Sequence, residues 1–141
     1  MDVSIVIRTK NEAHHVGRTL ELIKGQAFQG SYEIIVVDSE STDRTRDITK
    51  AYGVRLLKIP QREFTYGRSL NLGVEKAKGK FIVILSAHAF PASERWLYNL
   101  IAGFRGSRTA GVYGRQISDG KINPVEALQN ETFFGLQDNL F

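Results

Sequence analysis

Apolar, β-branched runs alternate with amphipathic stretches along most of the 141 residues, and this alternation constrains the fold more than any other feature. Runs of Val and Ile predict strands, whereas apolar residues spaced three or four apart, as in Val16, Leu20 and Ile23, predict helices between them. The pattern is typical of an α/β protein with an open, mostly parallel sheet and helices on both faces. The predicted strands are residues 3–9, 32–39, 54–59, 80–85 and 110–117.

Glycines and hydroxyl residues mark where the helices between these strands begin and end. The segment that begins Ser41-Thr42-Asp43 supplies hydroxyl and carboxylate candidates for the N-cap of the helix that precedes Gly53, and this glycine predicts its end. The next helix is predicted over Gly67–Lys78, with Gly79 as its C-terminal stop. Two further helices are predicted, one that carries Leu97, Leu100, Ile101 and Phe104, and one over residues 123–139.

Composition limits the class of protein. An apolar content of 42% and a charged content of 24% are ordinary for a globular domain, and we expect one domain over residues 1–141. The absence of cysteine excludes disulfides and thiolate metal sites, and no apolar run is long enough to predict a transmembrane helix. The first residues do not resemble a secretory signal, so we expect a cytoplasmic protein. The net charge of +4 is scattered instead of forming a basic stripe with aromatics, which disfavours nucleic acid as a partner.

Polar residues follow three of the predicted strands where each strand ends, in residues 8–12, 38–43 and 86–88. In open parallel sheets, ligands bind in the crevice at the carboxyl ends of the strands, so we expect these three segments to share one edge. Asp38 could accept hydrogen bonds there from a ligand ring N–H or a ribose hydroxyl. A turn or capping role is the alternative, and it fits Ser41 or Thr42 better than Asp38.

Four other polar residues are candidates on their positions in the sequence. For Thr9, Asn11 and Glu12, spacing alone leaves ligand contact and helix capping equally open, with Asn11 as a good N-cap. Arg68 falls in the first turn of a predicted helix, where free N–H groups and a guanidinium both suit a phosphate. A solvated arginine is the alternative for Arg68.

His88 stands three residues beyond the apolar run that ends at Leu85. A histidine beside a buried strand is commonly a hydrogen-bonded structural residue, but its position in the crevice also suits a metal. Neutral imidazole binds transition metals well and magnesium poorly. Ser86 adds only a neutral oxygen, so a diphosphate ligand would have to supply the remaining oxygens.

Three segments in fixed order resemble the family-two glycosyltransferases, which have the GT-A nucleotide-diphospho-sugar transferase fold, and the match spans Val3–Gln116. The resemblance implies that Thr9, Asn11 and Glu12 lie along the nucleotide and that Asp38 contacts the base. The matching segments read SIVIRTKNE, IIVVDSESTDRT and FTYGRSLNLGVEKAKGKFIVILSAHAFP.

This sequence departs from the family where the metal-binding Asp-x-Asp segment usually follows the fourth strand. Ser86 takes the position of the acid near the nucleotide, and His88 takes that of the metal-binding acid. Neutral imidazole in that place favours manganese over magnesium as the divalent cofactor. Stabilisation of the diphosphate without metal, by a charged His88 together with Arg68, stays open. Arg68 lies two residues before Leu70, where the family often has an arginine.

The resemblance implies transfer of a sugar, with inversion, from a nucleotide-diphosphate sugar to a sugar or lipid-linked acceptor in polysaccharide or glycoconjugate synthesis. The family's general base lies well downstream, and here only Asp119, Glu126, Glu131 and Asp138 are candidates by residue type. We therefore interpret the chain as the nucleotide-sugar-binding half, with the acceptor half missing; a module that binds without transfer is the alternative. Because Gly-x-Gly-x-x-Gly does not follow the first strand, a dinucleotide-binding Rossmann domain is disfavoured. A homo-oligomer and peripheral attachment to the inner membrane face stay open.

Overall fold

The computed structural model describes residues 1–104, 106 and 108–117. The chain divides into two compact units, Met1–Ile101 and Ala102–Phe141. A single 3-10 turn, Gln61–Glu63, precedes the third helix. The strands and helices, in chain order, are β1 Val3–Thr9, α1 Val16–Lys24, β2 Tyr32–Asp38, α2 Thr45–Ala51, β3 Arg55–Lys58, α3 Tyr66–Lys76, β4 Phe81–Ser86 and α4 Trp96–Ala102.

The four strands form one parallel sheet in the order β3-β2-β1-β4. Strand β1 pairs with both β2 and β4, so that Thr9 lies beside Asp38 and Arg8 lies beside Ser86. The carboxyl ends of the three strands therefore meet at one edge. This arrangement confirms the predicted α/β fold with an open parallel sheet.

Strand β1 is buried on both of its faces, which is why it consists almost entirely of β-branched residues. Ile5 and Ile7 pack with Leu20 of α1 on one face, whereas Val6 packs with Leu70 of α3 on the other. Helices therefore cover both faces of the sheet, as the sequence pattern indicated. Each fully buried side chain of this kind stabilises the fold by about 1.5–3 kcal/mol.

The region after α4 differs from the sequence prediction. Residues 110–117 form no strand, and the prediction of a fifth strand there is wrong. The side chains of Tyr113 and Ile117 are 74% and 60% exposed, so this apolar run lacks the burial that stabilises a strand. The helix predicted over residues 123–139 lies outside the described residues.

The end of α3 also differs from the prediction, because the helix ends at Lys76 instead of Lys78. Gly79 lies past the helix, where a Cβ atom would stand 2.3 Å from the backbone nitrogen of Ser4. The peptide N–H of Gly79 donates to the Ser4 hydroxyl at 2.8 Å. Gly79 thus allows the chain to pass closely over β1 on its way into β4, and it does not terminate the helix.

None of the helices in the described part of the chain combines the length and the apolar character that crossing a membrane requires.

Two glycines of α3 provide a matched test of this packing. A Cβ at Gly73 would stand 2.3 Å from Cγ1 of Val6 and 3.3 Å from Cγ2 of Val37, whereas a Cβ at Gly67 meets nothing within 4 Å. We expect Gly73→Ala to lower the free energy of unfolding by about 1–3 kcal/mol through overpacking. Gly67→Ala should raise it by about 0.4–1 kcal/mol, because the chain loses less entropy on folding. Urea unfolding of both variants measures this, and equal effects would contradict the observed α3 packing.

Candidate functional site

Asp38 is completely buried at the end of β2, and its carboxylate is engaged within the protein. One oxygen accepts the backbone N–H of Ser41 at 3.0 Å, and the other accepts the Ser41 hydroxyl. The Nε atom of Arg46 lies 3.9 Å from the first oxygen. The sequence favoured Ser41 or Thr42 over Asp38 for a turn role. In the structure, Asp38 and Ser41 form this turn together. A carboxylate has about four acceptor positions, so these contacts leave acceptor capacity on Asp38, although its side chain is covered in this structure.

The loop after β1 is held to the loop after β2 by hydrogen bonds across the edge of the sheet. Asn11 donates its backbone N–H to the Ser41 hydroxyl at 2.9 Å and accepts the Thr42 N–H on its side-chain oxygen at 2.8 Å. Asn11 has φ +54°, a left-handed conformation that asparagine tolerates better than most residues. The N-cap residue of α1 is His15, so Asn11 acts as a bridge between loops and not as a cap.

Asp43 completes this connection between the loops. Its Oδ1 atom accepts the Thr45 N–H at 2.9 Å and the Thr45 hydroxyl at 2.5 Å, and its Oδ2 atom accepts the Ala13 N–H at 3.1 Å. The residue before α2 is Arg44, which makes no side-chain capping bond. Asp43, a carboxylate among the N-cap candidates, thus supports the N-terminal turn of α2, whereas the hydroxyl candidates Ser41 and Thr42 do not.

Two hydroxyl groups at the carboxyl edge are buried without a hydrogen-bond partner. These are Oγ1 of Thr9 and Oγ of Ser39, which find no partner among the described residues. The two residues are adjacent, because the backbone N–H of Ser39 donates to the carbonyl of Thr9 at 3.0 Å. A buried hydroxyl without a partner is unfavourable, so this pair requires a partner that the described residues do not supply, such as a water molecule or a polar ligand group. The sequence placed Ser39 in the edge segment 38–43 but gave it no specific role.

Glu12 and His88, which the sequence placed on different strand ends, are in direct contact. The Oε1 atom of Glu12 lies 2.9 Å from Nδ1 of His88, and its Oε2 atom lies 3.0 Å from Nδ1 of His15. The side chain of His88 is 60% exposed, as expected for a crevice residue. The carboxylate of Glu12 is therefore bracketed by two imidazoles.

Arg68 and Arg8 have different contacts in the structure. Arg68 pairs with Glu63 at 3.0 Å and is 61% exposed. Arg8, which the sequence placed in one of the three edge segments without a specific role, lies at the edge itself, with a guanidinium nitrogen 3.5 Å from the Ser86 hydroxyl and its Cζ atom 4.2 Å from the centroid of the Tyr66 ring. A charged residue near the carboxyl end of an otherwise apolar strand was the signal available in the sequence.

A shallow hollow of about 400 Å³ lies elsewhere, at the amino ends of β2 and β3. Its lining includes Tyr32, Glu33 and Arg55. Because ligands of open parallel sheets bind at the carboxyl ends of the strands, we place the candidate site at that edge and not in this hollow.

Among the described residues, no three His, Cys, Asp or Glu side chains converge on a point that could hold a metal ion. What fits a metal is one ligand, His88, whose Nδ1 faces Glu12 and whose Nε2 remains available. A metal held in this way would take most of its ligands from a diphosphate and from water.

The sequence matches the profile described as Glycosyl transferase family 2 over residues 4–138. The chain belongs to this family. It is 31% identical over 100 residues to the dolichyl N-acetyl-alpha-D-glucosaminyl phosphate 3-beta-D-2,3-diacetamido-2,3-dideoxy-beta-D-glucuronosyltransferase of Methanococcus voltae, a match that covers 65% of this chain and 30% of that protein. It is also 31% identical over 94 residues to the O-antigen chain rhamnosyltransferase WbaN of Salmonella anatum, which covers 66% of this chain and 30% of that protein. The chain thus spans about a third of the length of these relatives.

Solved structures of glycosyltransferases show the same fold. The mannosyltransferase PcManGT from Pyrobaculum calidifontis, solved with GDP-Man and Mn2+, superposes with a TM-score of 0.63 at 27% identity and covers 70% of this chain and 31% of that one. TarS 1-349 of S. aureus, solved with UDP-GlcNAc, gives a TM-score of 0.63 at 21% identity and covers 84% of this chain and 39% of that one. These similarities confirm the GT-A fold.

Acid should release the contact that Asp43 makes between the loops. Burial by itself raises the pKa of this carboxyl, but hydrogen bonds from Thr45 and from the Ala13 backbone outweigh it and leave the pKa lowered. A carboxyl with a lowered pKa in the folded protein stabilises it above the unfolded pKa, and this contribution is lost as the pH falls through the folded pKa. We expect Asp43→Asn to be less stable than the wild type at neutral pH.

The difference between the two proteins should begin to shrink below about pH 4, the ordinary carboxyl pKa of the unfolded chain, and should vanish once the pH is below the lowered pKa of the folded protein. Denaturant unfolding at a series of pH values measures it. Asp47→Asn, which removes the same charge from the exposed first turn of α2, is the control. A stability difference for Asp43→Asn that does not change with pH would contradict this assignment.

Proposed function

We propose that this chain provides the nucleotide-sugar-binding part of a glycosyltransferase that moves a sugar, with inversion, from a nucleotide-diphosphate sugar to an acceptor hydroxyl. The observation that carries the proposal is the pair of buried, unpartnered hydroxyls of Thr9 and Ser39 at the carboxyl edge of the sheet. Membership of the family and the ligand-bound structures of its relatives support a sugar nucleotide as the ligand.

In this proposal, the two hydroxyls meet polar groups of the nucleoside, and Asp38 keeps the loop around them in place. The remaining acceptor position of Asp38 would take a ring N–H or a ribose hydroxyl of the donor. Because Asp38 is fully buried and already bonded to Ser41, it holds the loop in one arrangement before the donor arrives. Less ordering is then required on binding.

The diphosphate would lie towards Arg8, Ser86 and His88, which follow the nucleoside position along the edge from β1 to β4. Arg8 supplies a positive charge and Ser86 a hydroxyl donor. His88 would hold a divalent metal through Nε2, with manganese preferred over magnesium because the ligand is a nitrogen. When bound, the metal would neutralise the charge that develops on the leaving diphosphate.

A module that binds the donor without transferring sugar is the second candidate. It is the alternative because the chain aligns with only 30% of the length of these two relatives, so the activity of the whole relatives does not carry over to it directly. Asp119, Glu126, Glu131 and Asp138 all lie outside the described residues. A transfer assay with sugar and lipid-linked acceptors, run beside a binding titration, distinguishes the two functions.

Thr9→Val tests the proposed function directly, because it removes a hydroxyl that has no partner among the described residues and keeps the shape of the side chain. We expect the free energy of unfolding to stay unchanged or to rise, since no hydrogen bond is lost. Binding of the donor nucleotide should weaken by about 0.5–1.5 kcal/mol. Calorimetric titration of UDP and GDP, each with Mn2+, measures the binding, and thermal unfolding measures the stability.

Thr49→Val is the matched control, since its buried hydroxyl donates to the Thr45 carbonyl at 2.8 Å within α2. This variant should lose stability by about 0.5–1.5 kcal/mol and should keep its nucleotide affinity. If Thr9→Val binds both nucleotides as tightly as the wild type does, the proposed position of the donor is wrong.

Arg8 and Arg68 can be distinguished by the ligand that each one affects. We expect Arg8→Ala to weaken binding of a nucleoside diphosphate more than binding of the nucleoside, because its guanidinium lies beside Ser86. Arg68→Ala, which breaks the pair with Glu63, should affect both ligands alike and only slightly. If Arg68→Ala selectively lost affinity for the diphosphate and Arg8→Ala did not, Arg68 would be the arginine that contacts the phosphates.

A further inference from the structure

The contact between Glu12 and His88 joins two residues 76 positions apart and fixes the way in which the imidazole is presented. An ionised carboxylate can only accept hydrogen bonds, so the Nδ1 atom that lies 2.9 Å from Glu12 must carry the proton. A neutral His88 then has its lone pair on Nε2. The same reasoning applies to His15, whose Nδ1 lies 3.0 Å from the other oxygen of Glu12.

Both partners of this contact are anchored through their backbones. The N–H of Glu12 donates to the Thr45 hydroxyl at 2.8 Å, and its carbonyl accepts the N–H groups of His15 and Val16 at 2.9 and 2.8 Å. The carboxylate is only 20% exposed, unlike that of a freely moving surface residue.

The turn that carries His88 is held as firmly. Ala87 is 1% exposed, and its carbonyl accepts the Thr19 hydroxyl at 2.5 Å from α1. The N–H of Ala89 closes the turn on the Ser86 carbonyl at 3.0 Å. Two ordered segments therefore meet through this carboxylate and this imidazole.

We infer that Glu12 is a positioning residue for His88, which it holds through Nδ1 so that Nε2 faces the diphosphate–metal unit of the donor. The inference rests on the proposed function for the identity of the ligand, but the state of the ring is a property of the protein alone. It gives Glu12, which we expect to lie along the nucleotide, a second task, because the two oxygens of its carboxylate contact His88 and His15. A carboxylate behind a histidine fixes the tautomer of the ring and raises the basicity of the nitrogen that binds the metal.

The tautomer can be measured on the protein without any ligand. In long-range ¹H–¹⁵N spectra of histidine-labelled protein, at an alkaline pH where imidazoles are neutral, we expect His88 to show a protonated Nδ1 and an unprotonated Nε2. Glu12→Ala should convert it to the pattern dominated by protonated Nε2 that free imidazole side chains show. Spectra of His88→Asn and His15→Asn assign the signals. Glu21→Ala, which removes an exposed carboxylate from α1, should leave the pattern of His88 unchanged.

An unchanged His88 pattern in Glu12→Ala would overturn the inference. This holds even if the variant unfolds at a lower temperature, because losing a merely structural contact would lower the unfolding temperature without changing the tautomer. Circular dichroism of the same samples establishes that the fold is retained. Glu12→Gln provides a second variant. One amide offers a single acceptor oxygen, so it can keep Nδ1 protonated in only one of the two histidines, and loss of the pattern at His88 or His15 supports the inference.

The second measurement is Mn2+-dependent binding of UDP and of GDP to the 141-residue chain. Glu12→Ala should weaken this binding about 10–100-fold, the usual effect of losing a residue that orients a metal ligand. Weaker binding in His88→Ala without any weakening in Glu12→Ala would overturn this inference and leave the proposed function standing. Unchanged binding in His88→Ala would instead overturn the assignment of His88 to the donor, and the inference with it.

Discussion

The parallel pairing of β1 with a strand on each side is the interaction on which the rest of this structure depends. Strand β1 is buried on both faces and lies between β2 and β4, so its hydrogen bonds fix the level at which three strands end. This register places Thr9 beside Asp38 and Arg8 beside Ser86. A shift of one residue would turn the side chains of β1 to the opposite faces and separate these groups. The geometry of the candidate site is therefore a consequence of how the core packs around one strand.

Many of the polar residues at this edge hold the loops together instead of pointing at a ligand. Asp38 binds Ser41, Ser41 accepts the backbone of Asn11, and Asp43 reaches the start of the loop before α1. Such contacts satisfy buried donors and acceptors inside the protein, and they give the edge one arrangement before any ligand binds. The hydroxyls of Thr9 and Ser39 stand out against this background, since they lack the partners that their neighbours have found.

The fold also shows which residue contacts His88, the histidine at the usual place of a metal-binding acid. A carboxylate is still present beside this position, because Glu12 contacts Nδ1 of His88. A metal at Nε2 would meet a neutral ligand with a negative charge behind it, and such an arrangement suits a transition metal better than magnesium. Under the proposed function, the substitution would therefore favour a transition metal over magnesium.

The sequence by itself determined the four strands, the helices between them, the family and the edge at which the polar segments meet, because the spacing of apolar residues directly records which side chains are buried. It did not determine the partners at that edge. Glu12 and His88 are 76 residues apart, and Arg8 and Ser86 are 78 apart, so their contacts exist only once the register and the loops are set. For the same reason, the sequence could not show that Arg8 contacts Ser86, and it left capping open for Asn11, although the helix begins five residues later. The strand predicted at residues 110–117 was wrong for a different reason. An apolar run becomes a strand only where the tertiary structure buries it beside another strand.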